Sequence, residues 1–287
     1  MTTATNWLRV GLGAMVLLAL VALASPARAG DMRVLVIGAH PDDPDSAGGT
    51  MARYVALGNT VMFVSLTNGD AGHQSIGGGP LALIRTEEAR CAGEVVDSEY
   101  ITLDNHDGEL MPTLDVRRQV IQVIREFKPD LVFTPRVDDY HPDHRAAAQL
   151  VQDACYLLRV PNVVPESPAL ARDPVVLGMA DFFTRPVPFQ ADVVIPTDAL
   201  FEQVLDLLAC HESQLFEWLP FMDGQEDVLA GSDRREWLRQ YYGRRPAAIA
   251  RRWAPGARFA EAFERSEYGH RLSVAEIRGR LGVPELA

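Results

Sequence analysis

Residues 32–43 read MRVLVIGAHPDD, and the first seven of them are typical of a buried β-strand that ends at Gly38. One histidine and two aspartates, His40, Asp42 and Asp43, follow within four residues. Such acidic residues can simply cap a helix, because a helix N-terminus favours negative charge. In α/β sheets, however, sites form beyond the carboxyl ends of the strands. The stretch therefore predicts both a strand of an α/β sheet and a candidate metal site.

Strand-like and helix-like segments alternate along the chain. The predicted strands are residues 32–38, 60–66, 100–103, 130–134, 175–179 and 191–196, and the predicted helices are residues 48–57, 85–95, 116–127, 143–158 and 198–209. Alternation with short links predicts a Rossmann-like α/β fold with a doubly wound, mostly parallel sheet. Residues 215–287 carry few strand signals and are interpreted as C-terminal elaborations of the same domain.

The N-terminal residues predict an export signal. Arg9 precedes an apolar stretch over residues 10–24, and residues 27–29 (ARA) have the small-x-small form of a signal-peptidase site. We expect a signal peptide over residues 1–29, a single domain over residues 30–287, and a secreted or periplasmic location. The apolar stretch is shorter than the roughly 20 residues of a membrane span, so no stable span is expected after cleavage. An uncleaved N-terminal membrane anchor is the alternative.

The composition argues against several classes of protein. The chain has 47% apolar and 23% charged residues, and its formal net charge of −12 gives no support for nucleic-acid binding. Its cysteines, Cys91, Cys155 and Cys210, are odd in number, widely spaced and without a C-x-x-C pair. We therefore expect buried free thiols rather than disulfides or a thiolate metal site.

A second polar cluster follows the fourth predicted strand. Residues 138–144 read DDYHPDH, in which Pro142 suits the first turn of a helix. His141 and His144 are three residues apart on that helix, so both can face one point. Because the carboxyl ends of parallel strands open onto the same edge of a sheet, we expect this cluster to meet the one at residues 40–43. Two unrelated helix caps are the alternative.

These clusters carry a resemblance to a known family. The sequence resembles the PIG-L/LmbE-like family of N-acetylglucosaminyl de-N-acetylases. The matching features are HPDD at residues 40–43 with Gly48 and Gly49, RTEE at residues 85–88, HPDH at residues 141–144 and HESQ at residues 211–214. The family pattern has an acid directly after its two aspartates, where this chain has Pro44.

The resemblance implies a zinc-dependent hydrolase that removes an acetyl group from an N-acetylated amino sugar, or a related small molecule, with metal-activated water. His40, Asp43 and His144 would bind Zn²⁺, Asp42 would be the general base, and His141 would lie beside the reacting carbonyl. Two histidines and one carboxylate leave a coordination position open for water. The same donors also suit Fe(II), so the choice of zinc rests on the resemblance.

Arg85, Asp139 and His211 are further candidates for binding substrate or supporting the ligands. Arg85 could bind a substrate hydroxyl or phosphate, although an ion pair with Glu87 or Glu88 on a solvated helix face competes. Asp139 could orient a histidine of the second cluster. His211 could lie near the metal, or it could cap the C-terminus of a helix.

The sequence leaves two other functions open. One is a metal-dependent amidase for a non-sugar acyl-amide, such as a thiol conjugate or an acyl-amino acid. The other is a non-catalytic zinc- or sugar-binding protein, against which Asp42 argues because a binder needs no free carboxylate beside its metal. His73, in a Gly-rich loop, is expected to be exposed. The aromatic residues Phe216, Trp218, Phe221 and Trp237 could stack on a sugar, but helix packing is favoured.

Overall fold

The computed structural model describes Gly30 and residues 32–281, so the predicted signal peptide lies outside the described residues. The strands are β1 (Arg33–Gly38), β2 (Thr60–Ser65), β3 (Glu99–Thr102), β4 (Leu131–Thr134), β5 (Val175–Met179), β6 (Val193–Pro196) and β7 (Ala260–Gly269). The helices are α1 (Gly48–Ala56), α2 (Gly79–Val95), α3 (Leu114–Phe127), α4 (Pro142–Leu157), α5 (Phe201–Ala209), α6 (Leu219–Met222), α7 (Glu226–Ala230), α8 (Arg234–Trp253) and α9 (Val274–Leu281). Within the described residues, no helix is long and apolar enough to cross a membrane.

The strands form one sheet in the order β3-β2-β1-β4-β5-β7-β6. The first five strands are parallel, whereas β7 runs antiparallel to both β5 and β6. The predicted α/β fold with a mostly parallel, doubly wound sheet is therefore confirmed. The order places β1 beside β4, so the two polar clusters follow neighbouring strands at the same edge.

Burial on both faces explains the apolar run of β1. Val34 and Val36 pack into the core on one face of the sheet, and Leu35 and Ile37 pack into the core on the other. All four side chains are fully buried. A strand covered by helices on both sides needs apolar residues at successive positions, because its side chains alternate between the two faces.

The expectation of few strands after residue 215 missed β7, the longest strand of the sheet. Its segment, AEAFERSEYG, carries six charged or hydroxyl side chains and so lacks a plain apolar pattern. The structure gives the buried Glu261 and the half-buried Glu264 their own partners. Glu264, for example, lies 3.2 Å from the Arg136 guanidinium, and such tertiary partners are invisible in the sequence.

The expectation of free thiols was wrong for two of the three cysteines. Cys91 on α2 and Cys210 at the end of α5 form a disulfide, with an S–S distance of 2.07 Å. Cys155 is free and buried, as expected. The sequence signal failed because the bonded residues are 119 positions apart and meet only when α2 packs against α5.

A buried carboxylate of β7 caps helix α1. Glu261 Oε1 accepts a hydrogen bond from the Gly49 N–H at 2.8 Å, and Oε2 accepts bonds from the N–H and the hydroxyl of Thr50. A Cβ atom at position 49 would lie 2.7 Å from Thr197 Cγ2, which explains the glycine. Burial raises the pKa of Glu261 to about 7, although the bonds from Thr50 and Gly49 oppose that rise.

We expect Glu261→Ala to lower the free energy of unfolding by about 3 kcal/mol, because it leaves buried donors of α1 without an acceptor. The folded-state pKa of about 7 lies above the ordinary value of 4.5. The carboxyl therefore stabilises the fold most below pH 4.5, and this contribution falls as the pH rises through 7. Urea unfolding should show a larger loss at pH 5 than at pH 8. Glu267→Ala, at an exposed site of the same strand, is the control; equal losses in both variants would contradict the capping role.

Candidate metal centre and active site

The structure brings the two polar clusters together beyond the carboxyl ends of β1 and β4. The imidazole centroids of His40 and His144 are 5.2 Å apart, and His141 lies 4.5 Å from His40 and 5.1 Å from His144. Each of the three rings offers a nitrogen within 4.8 Å of the others. The two segments therefore share one site, as the topology of parallel strands requires.

Asp43 joins the imidazoles of the two segments. Its Oδ2 lies 3.1 Å from His40 Nδ1, and its Oδ1 lies 3.1 Å from His144 Nε2. Oδ2 also accepts hydrogen bonds from the N–H groups of Ala39 and His40, which fix the carboxylate in the turn after β1. Burial favours a neutral carboxyl, but the two imidazoles offset it and hold the pKa of Asp43 well below its ordinary value. The arrangement presents two nitrogen donors and one anionic oxygen.

Asp139 orients His144. Its Oδ1 lies 2.9 Å from His144 Nδ1 and also accepts a hydrogen bond from the backbone N–H of His141. A proton on Nδ1 leaves the Nε2 lone pair of His144 free for a metal ion, as is usual for metal-binding histidines. Burial lowers the pKa of His144, but Asp43 and Asp139 together raise it to about 9.

The backbone fixes the tautomer of His141. Its Nδ1 accepts a hydrogen bond from the Asp143 N–H at 3.2 Å, as the N-cap of α4. The proton of the neutral ring must then sit on Nε2. Burial, His40 and His144 lower the pKa of His141. His141 is therefore built to donate a hydrogen bond as a neutral imidazole, with no need of a positive charge.

Asp42 lies beside the ligand candidates without contacting them. Its Oδ2 accepts a hydrogen bond from Gln214 Nε2 at 3.2 Å. Its Oδ1 is buried and has no hydrogen-bond partner among the described residues. One oxygen of this carboxylate is thus anchored and the other is free, which is the arrangement that a general base needs.

His211 supports the loop after β1. The ring is fully buried, and its Nε2 lies 2.5 Å from Asp45 Oδ2. Asp45 stands one position after Pro44, so a carboxylate is present near the place where the resemblance expects one. Burial raises the pKa of Asp45 to about 6, although His211 opposes the rise. The side chain of His211 is turned towards this loop and away from the role of a helix cap.

Arg85 is buried rather than on a solvated helix face, but the ion pair with Glu88 that competes with a substrate role is present, with Arg85 Nε 3.9 Å from Glu88 Oε2. Its side chain is about 2% exposed, and its Nη2 donates a hydrogen bond to the Gly72 carbonyl at 2.6 Å. Glu88 accepts hydrogen bonds from the N–H and hydroxyl of Ser213, and Glu87 pairs with Arg90 on the outer face of α2. Arg85 also lines the cavity that contains the histidines.

Sequence reasoning missed Asp107 and misjudged His73. Asp107 Oδ1 lies 3.1 Å from His40 Nε2, in a loop that follows the end of β3. Its place four residues after the predicted strand at residues 100–103 is the signal in the sequence that indicates it. His73 is buried, and its Nε2 lies 2.8 Å from Glu217 Oε2. Its expected exposure was wrong because Glu217 comes from a distant segment.

Asp143 completes the surroundings of His40. Its Oδ2 lies 3.4 Å from His40 Nε2, so His40, Asp107 and Asp143 form a second group whose atoms are close enough for a metal ion. Asp143 is fully buried and accepts hydrogen bonds from the N–H groups of Gly108 and Leu110. Its carboxylate therefore holds the loop that carries Asp107 against α4.

A parallel α/β sheet with imidazoles and carboxylates gathered at its carboxyl edge defines a hydrolase scaffold with a candidate metal centre. Residues 35–155 match the PIG-L family, described as GlcNAc-PI de-N-acetylase. The chain is 30% identical over 241 residues to the diacetylchitobiose deacetylase of Thermococcus kodakarensis, and the match covers 79% of this chain and 82% of that protein. The chain therefore belongs to the PIG-L family of de-N-acetylases, which are hydrolases of amide bonds.

Two further comparisons agree with this assignment. The mycothiol S-conjugate amidase of Streptomyces coelicolor is 27% identical over 220 residues, covering 66% of this chain and 72% of that protein. The structure of the N,N′-diacetylchitobiose deacetylase of Pyrococcus horikoshii superposes with a TM-score of 0.62 at 23% identity, covering 82% of this chain and 84% of that one. The structural match shows that the two proteins share a fold.

We expect Gln214→Ala to lower kcat about tenfold with little change in KM, because Asp42 loses the hydrogen bond that orients it, and a general base contributes ~10²–10⁴ to the rate. Steady-state deacetylation of an N-acetylated sugar measures both constants. Gln240→Ala is the matched control, because the Gln240 amide donates a hydrogen bond to Glu236 at an exposed site on α8. An unchanged kcat in the Gln214 variant would show that this bond does not position the base.

Proposed function

We propose that the protein removes the acetyl group from an N-acetylated amino sugar with the help of a zinc ion bound by His40, Asp43 and His144. One observation carries the proposal: the Asp43 carboxylate lies between two imidazoles that come from separate strand ends. Two imidazoles and one carboxylate are donors of a catalytic zinc site. When bound, zinc would acidify a water molecule and polarise the amide carbonyl.

The other nearby groups are better suited to different tasks than to the metal. Asp143 uses both carboxylate oxygens on backbone N–H groups. His141 has its Nδ1 occupied by the helix cap, and its Nε2–H remains as a donor. These contacts favour His40, Asp43 and His144 as the ligands.

Asp42 and His141 supply the acid–base and electrostatic parts of the mechanism. Asp42 Oδ1 takes a proton from the attacking water and returns it to the leaving amine. His141 donates a hydrogen bond from its Nε2–H to the amide oxygen, which becomes negative as the amide carbon becomes tetrahedral. The free Oδ1 of Asp42 also argues against a non-catalytic binding protein, which has no use for it.

The site also suggests what holds the sugar. Arg85 and Asp107 line the cavity, and a guanidinium with a carboxylate suits the hydroxyl groups of a sugar ring.

The diacetylchitobiose deacetylase among the relatives supports an N-acetylated sugar as substrate. The mycothiol S-conjugate amidase supports a second candidate, an amide outside a sugar acetyl group. Release of acetate from N-acetylglucosamine favours the first candidate, and cleavage of an acyl-amino acid without acetate release favours the second.

We further propose that the protein is exported and works outside the cytoplasm as a single domain over residues 30–287. The small-x-small site at residues 27–29 supports this location, as does the Cys91–Cys210 disulfide, since disulfides persist in oxidising compartments. Mass spectrometry of the secreted protein should find its N-terminus at Gly30; an intact Met1 would favour the uncleaved anchor.

We expect Asp42→Asn to keep its metal and lose turnover by about 10²-fold or more, because only the base is removed. We expect His144→Ala to lose bound zinc. Metal analysis and acetate release on the same purified preparations measure both effects.

Two matched variants control this experiment. Asp138→Asn changes a carboxylate in the loop between β4 and α4, and His106→Ala changes an exposed histidine that pairs with Asp70. Loss of zinc in the Asp42 variant would show that base and ligand are wrongly assigned. Full zinc occupancy in the His144 variant would exclude His144 as a ligand.

A further inference from the structure

The cavity is larger than one amino sugar requires. Its volume is about 800 Å³, near the upper end of the ~300–1,000 Å³ of ligand pockets. Its floor carries the half-buried imidazoles and carboxylates already described. Its mouth is built by exposed aromatic residues, among them Phe182 and Phe183, which are 48% and 40% exposed. The cavity can therefore also accommodate a group that is linked to the amino sugar.

Helix α8 supplies two arginines to this mouth. Arg244 and Arg245 both line the cavity and are exposed. Earlier arginines of the same helix are neutralised by acids: Arg234 pairs with Glu212, and Arg239 pairs with Glu202. In the described part of the chain, neither Arg244 nor Arg245 has a carboxylate oxygen within ion-pair distance. Two guanidinium groups without counter-charges thus face the cavity of a chain with a net charge of −12.

Neighbouring groups hold these guanidinium groups at the mouth. Arg245 donates a hydrogen bond to the Ala180 carbonyl, next to the aromatic pair at residues 182–183. Arg244 lies 6.0 Å from the centroid of the Tyr241 ring. Arg244 is therefore placed beside an aromatic face, and Arg245 is fixed by a backbone carbonyl.

The acids near this mouth already have partners. Asp181 lies 2.7 Å from the buried guanidinium of Arg136, and Asp223 accepts a hydrogen bond from the Tyr241 hydroxyl at 2.7 Å. The other carboxylates of the cavity lie at its floor, around the imidazoles. The neutral phenol leaves the charge of Asp223 in place, so the mouth carries two unpaired guanidinium charges against one carboxylate charge, and an anion there meets a net positive charge.

We propose that the mouth of the cavity is a second binding site, which takes an anionic group attached to the amino sugar. Arg244 and Arg245 bind its phosphate or carboxylate oxygens, since the guanidinium fork matches both geometries. Phe182, Phe183 and Tyr241 cover the apolar face of the ring or linker that carries the anion. The inference rests on the proposed deacetylase function and adds the charge of the substrate to it.

The test compares pairs of substrates that differ in charge. N,N′-diacetylchitobiose is the neutral disaccharide, and N-acetylglucosamine linked to glucuronic acid is the carboxylate one. N-acetylglucosamine and its 1-phosphate ester form a second pair, so the two pairs separate a carboxylate from a phosphate ligand. Acetate release gives kcat/KM for each substrate with the zinc-loaded mature protein.

We expect kcat/KM for at least one anionic substrate to exceed that of its neutral partner by about tenfold at low salt, the scale of one charge-assisted hydrogen bond. The preference should shrink as salt screens the charges. In an Arg244→Gln, Arg245→Gln double variant the anionic-to-neutral ratio should fall towards one. Arg251→Gln, at an exposed site of the same helix outside the cavity lining, should keep the wild-type ratio.

The possible failures of this test are distinguishable. If neutral sugars are deacetylated and neither anion is preferred, the second site is disproved and the deacetylase function stands. The same holds if a preference exists but survives the double substitution. If no N-acetylated sugar releases acetate, the proposed function itself fails, and the second site fails with it.

Discussion

The contact of one carboxylate with two imidazoles is the interaction on which the site depends. Asp43 bridges His40 and His144, which are separated by about a hundred residues and meet because β1 and β4 are parallel neighbours. Backbone N–H groups in the turn after β1 hold the carboxylate in place. The sheet order, the buried apolar strands and the fixed turn all converge on this point.

A short segment after α5 connects helix α2 and the loop after β1 to the site. In residues 210–214, Cys210 is bonded to Cys91, Ser213 binds Glu88 on α2, and Gln214 binds Asp42. His211 in the same segment contacts Asp45, one position after the Pro44 that departs from the family pattern. The loop after β1 thus keeps a carboxylate beside the His211 ring, although Pro44 stands directly after the two aspartates.

The parts of the site that could be predicted were those set by local pattern and strand direction. An apolar run followed by His40, Asp42 and Asp43 indicates a strand end, and parallel strands share an edge. The tautomer of His141, the disulfide and the buried state of His73 depend on partners that meet only in three dimensions. Strand β7 was missed for the same reason, since the partners of the buried Glu261 are N–H groups of α1 that lie more than 200 residues away in the sequence.

The ligand assignment can be tested most directly by anomalous X-ray diffraction at the zinc absorption edge, on crystals of the zinc-loaded protein. We expect one strong peak within about 2.0–2.2 Å of ligand atoms of His40, Asp43 and His144. Asp42 should stay outside bonding distance of the ion. A peak held instead by His40, Asp107 and Asp143, or no peak between His40 and His144, would contradict the ligand assignment.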